Sequence, residues 1–427
     1  MESLEMDRLN IFEYITLEDV KIFSNTYFAS INSIFDIVDQ EEFSNQAARC
    51  WATQSIDPGF QVVVCGVVAL GSLFSTNSLF IREADIIEQA RLILDSSFAH
   101  SKVLLSLDFV VGWILRAIYL RSTTGPHVSW VASSMAMHIA ESIGLHQEMS
   151  ETRTTQGPQS QNNVLSEAEI NTRRRTFWVA CSLNRLFSAQ YGRTMVTLQN
   201  VGCRYPTITP DDAPDDFISL IRLLPDLCDA TTIGTSSAIT VLTDGILQLG
   251  NKAVHRLPLI LLRADAIFCI YRKLRYIGVA LSTTHTEVVL SVIRSALDAA
   301  DSLALHFQQW WTIVGVPFHS ICVLIALNTI ESLDLMPRAM ESLQNIAAIF
   351  NSHRLREALR TAQDLVKVAE TRKRKELEGL QRCLNLNTAM TASTSPHIQS
   401  SEGTSNLPSF EWPTDFDLGF SYFLNTS

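Results

Sequence analysis

The chain has 427 residues, 47% of them apolar, so it can bury a large hydrophobic core in one or more domains. Its formal net charge of −11 excludes a grip on nucleic acid by the protein as a whole, because such binding needs a clustered positive field. The eight cysteines include no C-x-x-C pair, which excludes a zinc cluster built from closely spaced thiolates.

The amino-terminal end is acidic and lacks an apolar run of the signal-peptide type, so residues 1–17 are predicted to lead into the folded part. The most apolar stretch, residues 60–74, is shorter than the roughly 20 residues that a membrane crossing needs, and it is predicted to be a buried helix. Apolar residues recur at helical spacing over 18–383, and the alternation typical of strands is nearly absent. The sequence therefore predicts an all-α domain over 18–383 without a membrane contact.

Two polar segments interrupt the helical pattern. Residues 149–165 carry Gly-Pro and residues 205–216 carry three prolines and four aspartates, so loops are predicted near 149–165 and 205–235. After the first loop, Ser166 and Glu169 form the S-x-x-E pattern, in which each side chain binds an amide left over at the first turn of a helix. A helix is therefore predicted to begin there.

That helix contains the segment NTRRRTFWVACSLNRLFSAQYGR, residues 171–193, with five arginines and no acidic residue. A nucleic-acid reader would expose its basic residues, but Phe177 and Trp178 predict a buried helix. A catalytic patch would need a nucleophile or a metal site, and none is nearby. We therefore favour guanidinium groups that pair with carboxylates of other helices, which suits the planar fork of arginine. Glu169 and Arg173 are expected to form an additional i, i+4 pair.

The stretch SWVASSMAMHIAESIGLHQE, a polar loop, and RRRTFWVACSLNRLFSAQYGRTMVTLQNVGCRYP together resemble the middle homology region of fungal zinc-cluster transcription factors. In that family a helix ending in Leu-Gly-Leu-His precedes an Arg-Arg-Arg-x-Phe-Trp helix that runs into a Gly-Arg-Pro turn. Residues 27–43 and 310–333 resemble further helices of the region, and the likeness covers most of 18–375. It implies a large multi-helix regulatory domain with a motif helix formed by Arg173, Arg174, Arg175, Phe177, Trp178, Arg185, Gly192 and Arg193.

The sequence departs from the family pattern at several places. Asn184 stands where the family usually has Asp, and Thr194 stands where it usually has Pro, so weaker internal pairing is expected there. The six-cysteine cluster that holds two zinc ions in family members is missing from this chain. DNA contact is therefore expected only through a missing cluster or a partner protein, and zinc only if an upstream cluster exists. The alternative is a clusterless co-regulator that acts through protein partners.

The resemblance implies a transcription regulator, not an enzyme, that controls a metabolic or secondary-metabolite gene set. We expect the nucleus as its location, with the cytoplasm as the alternative. The expected partners are the transcription machinery or coactivator proteins, and a small metabolite is a candidate effector. The chain itself is expected to need no cofactor.

A different class of function is suggested by Asp211 to Asp215, which have the D-D-x-x-D spacing that all-α isoprenoid synthases use to hold magnesium diphosphate. Pro210 and Pro214 make this segment a loop, and no second metal motif follows. A helical metal-dependent isoprenoid-type enzyme is therefore the alternative, and a solvated acidic loop is favoured.

The basic run of Arg372, Lys373, Arg374 and Lys375 is a candidate nuclear localisation signal. Because Glu370, Glu376 and Glu378 flank it, a solvated helix face explains the same residues.

From residue 384 onward the composition shifts to Ser, Thr, Asn and Pro without Lys or Arg, which predicts a disordered tail over 384–427. Its last part mixes aromatic and acidic residues, as activation segments do, although an ordinary disordered end is equally compatible. The candidate activation residues are Trp412, Phe416, Leu418, Phe420, Tyr422 and Phe423.

Overall fold

The computed structural model describes residues 11–75, 82–99, 105–148, 165–208, 216–227 and 236–390, without the side chains of residues 98, 99 and 385–390. Every regular element in these ranges is a helix, which confirms the all-α prediction. A π-helical segment, Phe28–Asn32, lies between the second and third of the α-helices. The α-helices are α1 (Ile11–Tyr14), α2 (Leu17–Tyr27), α3 (Ser33–Phe35), α4 (Gln40–Thr53), α5 (Pro58–Leu73), α6 (Glu83–Ala99), α7 (Leu107–Thr123), α8 (Pro126–Ser142), α9 (Glu167–Tyr191), α10 (Phe217–Ile221), α11 (Ser236–Asn251), α12 (Leu257–Tyr276), α13 (Thr283–Leu305), α14 (Thr312–Leu327), α15 (Ile330–Phe350) and α16 (His353–Met390).

The helices form two packed groups with one helix between them. In the amino-terminal group α2 packs on α5, α5 on α6 and α7, and α7 on α8. In the carboxy-terminal group α12 and α13 pack on each other and on α11 and α14, while α15 and α16 cover α14. Helix α9 contacts α7 and α8 on one side and α12 on the other, so it joins the two groups.

Large aromatic side chains fill the core where the groups meet. Phe35 contacts Phe217 at 4.9 Å and Trp310 at 6.2 Å between ring centroids, and Phe74 contacts Trp310 at 5.4 Å. Phe35, Phe217 and Trp310 are almost completely buried. Because burial of such a side chain stabilises a fold by about 1.5–3 kcal/mol, these contacts hold the two groups together.

The most apolar segment of the sequence is the buried helix that was predicted. In α5 every residue from Gly59 to Ser72 is buried. Gly71 allows the backbone of α2 to lie directly against α5. A Cβ atom built at Gly71 would lie only 2.0 Å from the carbonyl oxygen of Phe23 on α2. Within the described ranges no single helix has the length and apolar character of a membrane span, and only α4 with α5, bent by 114°, meet that test as a pair.

Two predicted boundaries differ from the structure. The predicted loop near 205–235 contains α10, whose N-cap Asp216 accepts a hydrogen bond from the N–H of Ser219 at 2.7 Å. Phe217, Leu220 and Ile221 of this helix are buried, so tertiary packing fixes it despite the neighbouring prolines. Helix α16 continues to Met390, past the predicted start of the tail at 384. Residues 149–164 and the tail from 391 lie outside the described residues.

Two acidic side chains face each other where α5 and α7 begin. Asp57 caps α5 by accepting the N–H of Gly59 at 2.9 Å, and Asp108 lies in the first turn of α7. Burial, with the negative charges of Asp57 and Glu42, raises the pKa of Asp108 to about 6. An ionised Asp108 therefore destabilises the folded state at neutral pH.

We expect Asp108→Asn to raise the free energy of unfolding by about 1–2 kcal/mol at pH 7.5, as measured by urea denaturation, because the amide carries no charge to bury. The folded-state pKa lies above the unfolded value of about 3.9, so the cost of ionisation disappears as the pH falls from 6 to 4. The gain should therefore shrink at pH 5. The control Asp244→Asn, at an exposed position of α11, should change the free energy by less than about 0.5 kcal/mol, and a gain that does not depend on pH would contradict the prediction.

Candidate functional site

The motif helix α9 begins where the S-x-x-E pattern predicts and ends at the Gly-Arg turn that the family resemblance implies. Ser166 and Glu169 form a capping box, in which the Ser166 Oγ accepts the N–H of Glu169 at 3.2 Å and Glu169 accepts the N–H of Ser166 at 2.7 Å. At the other end Gly192 has φ +59°, and the next N–H, that of Arg193, donates to Ser188 at 2.9 Å. Glycine favours this left-handed stop because it has no Cβ.

Arg174 binds carboxylates at two places. Its Nε donates to the Glu148 Oε1 at 2.9 Å, its Nη2 donates to the same oxygen, and its Nη1 lies 3.0 Å from the Glu167 Oε1. The other oxygen of Glu148 accepts the N–H of Arg204 at 2.8 Å. Although burial opposes ionisation of Glu148, the hydrogen bonds from Arg174 and Arg204 outweigh it and lower the pKa of this carboxyl.

Arg175 connects α9 to two distant segments. Its Nε lies 3.2 Å from the Asp36 Oδ2, after α3, and its Nη1 lies 3.5 Å from the Asp216 Oδ1 at the start of α10. Asp216 is buried, so this carboxylate serves both as a cap and as an arginine partner. The predicted interior pairing is therefore present at Arg174 and Arg175.

The remaining arginines behave differently from one another. The expected pair of Glu169 and Arg173 is absent from the ion pairs of the described residues, because Glu169 is occupied by the cap of α9. The Nε of Arg173 is buried without a hydrogen-bond partner among the described residues, and burial lowers the pKa of this guanidinium. Arg185 donates to the carbonyl of Leu224 at 2.9 Å.

The two aromatic residues of the motif have separate roles. Phe177 is completely buried, as predicted. Trp178 is partly buried, donates from Nε1 to the carbonyl of Arg204 at 2.9 Å and stacks on Tyr205 with 4.1 Å between ring centroids. Arg222 covers Tyr205 at 4.2 Å from its ring centroid. The stack attaches the segment after α9 to the motif helix.

Two of the residues that depart from the family pattern, Asn184 and Thr194, form hydrogen bonds in this structure. The amide nitrogen of Asn184 donates to Ser133 at 3.1 Å and to Ser134 at 3.2 Å, and its oxygen accepts the N–H of Val196 at 2.8 Å. The carbonyl of Thr194 accepts the Nε1 of Trp130 at 3.1 Å. The side chain of Asn184 is therefore fully hydrogen-bonded in a buried position, and the expectation of pairing weaker than in relatives with Asp stays a prediction.

A buried polar chain that the sequence did not predict crosses the junction between the two groups of helices. Arg121 on α7 donates from Nε to the Gln190 Oε1 at 3.2 Å, and the amide nitrogen of Gln190 donates to Asp265 on α12. The Nδ1 of His319 on α14 lies 3.6 Å from the other oxygen of Asp265. No local spacing signals this set, because its members come from four helices.

The hydrogen bonds and ion pairs of α9 fix the positions of neighbouring segments. Within the ranges that the structure describes, no three His, Cys, Asp or Glu residues are placed to hold a metal ion. Burial raises the pKa of the Cys65 and Cys181 thiols to about 12, so both are protonated at neutral pH and are poor ligands and nucleophiles.

The other candidate residues lie apart from α9. The basic run lies on an exposed part of α16, where Arg372 and Lys373 pair with Glu376 at 3.1 and 3.2 Å, and Arg374 pairs with Glu370 at 2.6 Å. These pairs are those of a solvated helix face, which an import receptor can also reach, so both interpretations stay open. The acidic motif from Asp211 to Asp215 and the activation residues from Trp412 to Phe423 lie outside the described residues.

Replacing Arg174 by alanine is expected to lower the free energy of unfolding by about 2 kcal/mol at pH 7, because it leaves a partly buried Glu148 charge with fewer donors. The pKa of Glu148 is depressed, so this contribution is present above the unfolded pKa of about 4.3 and disappears as the pH falls through the folded value. Urea denaturation should show a constant difference from the wild type between pH 7 and 5, and a difference that narrows below about pH 4.

The matched control is Arg91→Ala, which removes an exposed arginine that also binds two carboxylates, Glu88 and Asp95. It should cost at most about 1 kcal/mol, since exposed ion pairs contribute little. Equal losses in the two variants would contradict the assignment of Arg174 to the interior.

Comparison with known proteins identifies the class. A sequence model described as "Fungal specific transcription factor domain" matches residues 25–311. The chain therefore belongs to this family, as the resemblance of the motif helix indicated, and it is a fungal transcription regulator. The comparisons do not favour an isoprenoid-type enzyme.

Individual relatives agree with this assignment. The chain is 30% identical over 413 residues to Protein RDR1 of Saccharomyces cerevisiae, covering 95% of this chain and 70% of that protein. It is 29% identical over 428 residues to Transcription factor kojR of Aspergillus oryzae, covering 98% and 74%. It is 26% identical over 290 residues to a probable transcriptional repressor of Schizosaccharomyces pombe, covering 68% and 60%.

Proposed function

We propose that this regulator acts in the nucleus on a metabolic or secondary-metabolite gene set, through the transcription machinery or a coactivator protein. The observation that carries the proposal is the orientation of the motif helix, since Arg174 and Arg175 face carboxylates of the same chain and not a polyanion. This arrangement suits a control module that leaves DNA contact to a zinc cluster or a partner protein.

The chain acts without catalysis and without a cofactor of its own in this proposal. Support comes from the family and from the relatives, which are transcription regulators by name. An in-frame C-x-x-C-x-x-x-x-x-x-C pattern in the genomic DNA upstream of Met1 would favour a zinc-cluster protein, and its absence would favour a clusterless co-regulator.

The regulatory mechanism is a population shift between two arrangements of the helical groups. Helix α9 contacts both groups, and Arg272 on α12 donates to the carbonyls of Ala189 and Gln190 at 3.0 and 2.7 Å. A ligand or partner that binds one arrangement more tightly would shift the population by its difference in affinity.

Transcript profiling after deletion of the gene tests the gene set. We expect a restricted group of metabolic genes to change and to recover when the wild-type gene is returned. Unchanged transcripts under every nutrient condition tested would contradict the proposal. A fusion of residues 384–427 to an unrelated DNA-binding domain tests the activation segment, and a silent reporter would remove it.

The basic run provides a test of location. Replacing Arg372, Lys373, Arg374 and Lys375 together by alanine should move a fluorescently tagged protein from the nucleus to the cytoplasm, because an import receptor recognises clustered positive charge. The matched control replaces Arg356, Arg360, Lys367 and Arg382, which are exposed on the same helix. Nuclear fluorescence that is unchanged in the first variant would leave only the solvated helix face.

A further inference from the structure

The apolar face of α16 continues beyond the part of the helix that packs on the domain. In the first half of the helix, Leu355 and Ala362 of this face are buried in the core. The same three- and four-residue spacing carries on to Leu377, Leu380 and Leu384, which are 55%, 65% and 67% exposed. These three residues form the leucine stripe. Apolar side chains at helical spacing on an exposed helix mark a site of interaction.

Basic side chains accompany the leucine stripe. Lys373 lies on the line of the stripe, one turn before its first leucine, and Arg372 and Arg374 lie on either side of that line. They pair with Glu376 and Glu370 of the same helix at 3.1, 3.2 and 2.6 Å, and these pairs are exposed. Exposed ion pairs contribute little to stability, so carboxylates from elsewhere can replace them. The surface favours a partner that combines apolar side chains with negative charge.

The carboxy-terminal part of the same chain has this composition. Residues 410–424 combine six aromatic and two leucine residues with three carboxylates, and they contain no Lys or Arg. They follow the end of α16 after a linker of 19 residues, 391–409. A linker of this length spans about 24 Å on average, whereas Leu380 lies about 15 Å before Met390 along the helix. The segment can therefore reach the stripe, at an effective concentration on the order of 1 mM.

A second copy of the chain is a poorer occupant of the stripe. A stable interface takes about 20–30 residues from each partner, and the stripe offers three leucines. In a parallel pair of α16 helices the two Lys373 side chains would also repel each other. A tethered segment needs less contact area than a separate molecule, because its linker has already brought it close.

We propose that residues 410–424 dock on the leucine stripe of the same chain. Their aromatic side chains cover Leu377 and Leu380, and the carboxylates of Asp415 and Asp417 lie against the basic residues beside the stripe. The docked segment contains the candidate activation residues and covers the basic run of α16. A coactivator or an import receptor therefore has to displace it, and the contact goes beyond the proposed function without depending on the gene set.

A bimane label on Cys383 of the full chain tests the contact, since tryptophan quenches bimane when the two rings touch. Cys383 is exposed and lies one turn after Leu380, and Trp412 belongs to the docking segment. We expect the label to be at least about three-fold brighter in Trp412→Phe than in the wild type, because the tether keeps the segment docked most of the time. A Cys383→Ser protein measures the label on other cysteines. Equal brightness of the Trp412→Phe and wild-type proteins would overturn the proposal.

Variants of α16 locate the contact on the helix. Leu377→Gln together with Leu380→Gln should brighten the label by about two-fold or more, because the apolar surface under the docked segment is lost. The control Val368→Gln changes a residue that is 59% exposed and lies on the opposite side of the helix from Leu377. It should leave the label quenched. A leucine variant that stays quenched, or a control that brightens equally, would overturn the assignment to the stripe.

The charged part of the contact has its own test. Asp415→Asn together with Asp417→Asn should brighten the label at low salt, and by less at about 0.5 M salt, where surface charges are screened in every variant. The control Glu402→Gln lies outside the docking segment and should change nothing. Quenching that grows with protein concentration would identify a second copy as the occupant and overturn the intramolecular contact. These measurements use purified protein, so their failure leaves the proposed gene set untouched.

Discussion

Gly71→Ala is expected to lower the free energy of unfolding by about 3 kcal/mol or more, the largest effect that we predict for a single methyl group in this protein. The added Cβ would lie 2.0 Å from the carbonyl oxygen of Phe23, so α2 must move away from α5. A backbone atom cannot yield as the end of a flexible side chain does. Urea or thermal denaturation followed by circular dichroism measures the loss.

The control for this variant is Gly379→Ala on α16, where a Cβ atom meets nothing within 4 Å. There alanine should raise the free energy of unfolding by about 0.5–1 kcal/mol, because glycine is the poorer helix former. A Gly71→Ala protein as stable as the wild type would mean that α2 does not pack on α5 as described.

Asp265→Ala is also expected to destabilise the protein strongly, lowering the free energy of unfolding by about 3 kcal/mol. Asp265 is 5% exposed and accepts the amide N–H of Gln190, which in turn accepts the Nε–H of the buried Arg121. Removing the Asp265 carboxylate leaves the amide N–H of Gln190 without this acceptor. It also removes a negative charge from the neighbourhood of the buried Arg121 guanidinium. Chemical denaturation at pH 7 measures this loss.

Two further variants decide what that loss means. Asp265→Asn keeps an oxygen acceptor for Gln190 without the charge, so it should lose less than the alanine variant does. Asp298→Ala removes a carboxylate that is 74% exposed and is paired with Arg338, so it should cost about 1 kcal/mol at most. If Asp265→Ala costs no more than Asp298→Ala, the buried chain does not hold the two groups of helices together.

The motif helix shows how far local sequence information reaches. Its start at Ser166 and the burial of Phe177 follow from spacing and residue type alone, since caps and apolar faces involve residues within a few turns. Its stop at Gly192 was implied by the family resemblance. The partners of Arg175 do not follow from such patterns. Asp36 and Asp216 reach it only because α3 and α10 fold against α9.

Expectations that the structure does not bear out also concern side chains and segments whose contacts depend on more than one local pattern. Glu169 was expected to form an ion pair with Arg173. Its carboxylate instead accepts hydrogen bonds from Ser166 in the capping box of α9, so the capping pattern and the i, i+4 pattern require the same side chain. Helix α10 lies in a segment rich in Pro and Asp, where only its N-cap and burial reveal it. The partners of Asn184, Ser133 and Ser134 of α8, likewise follow only from the packing of α8 on α9.

The sequence by itself determined that the protein is helical and where the motif helix begins, because helical periodicity and caps are properties of neighbouring residues. The residue pattern of that helix also indicated the family of regulators. Only the tertiary structure decided which carboxylates Arg174 and Arg175 bind, and how Arg121, Gln190 and Asp265 connect the helices. The physical reason is that an apolar face fixes which side of a helix is buried but does not specify which other helix covers it.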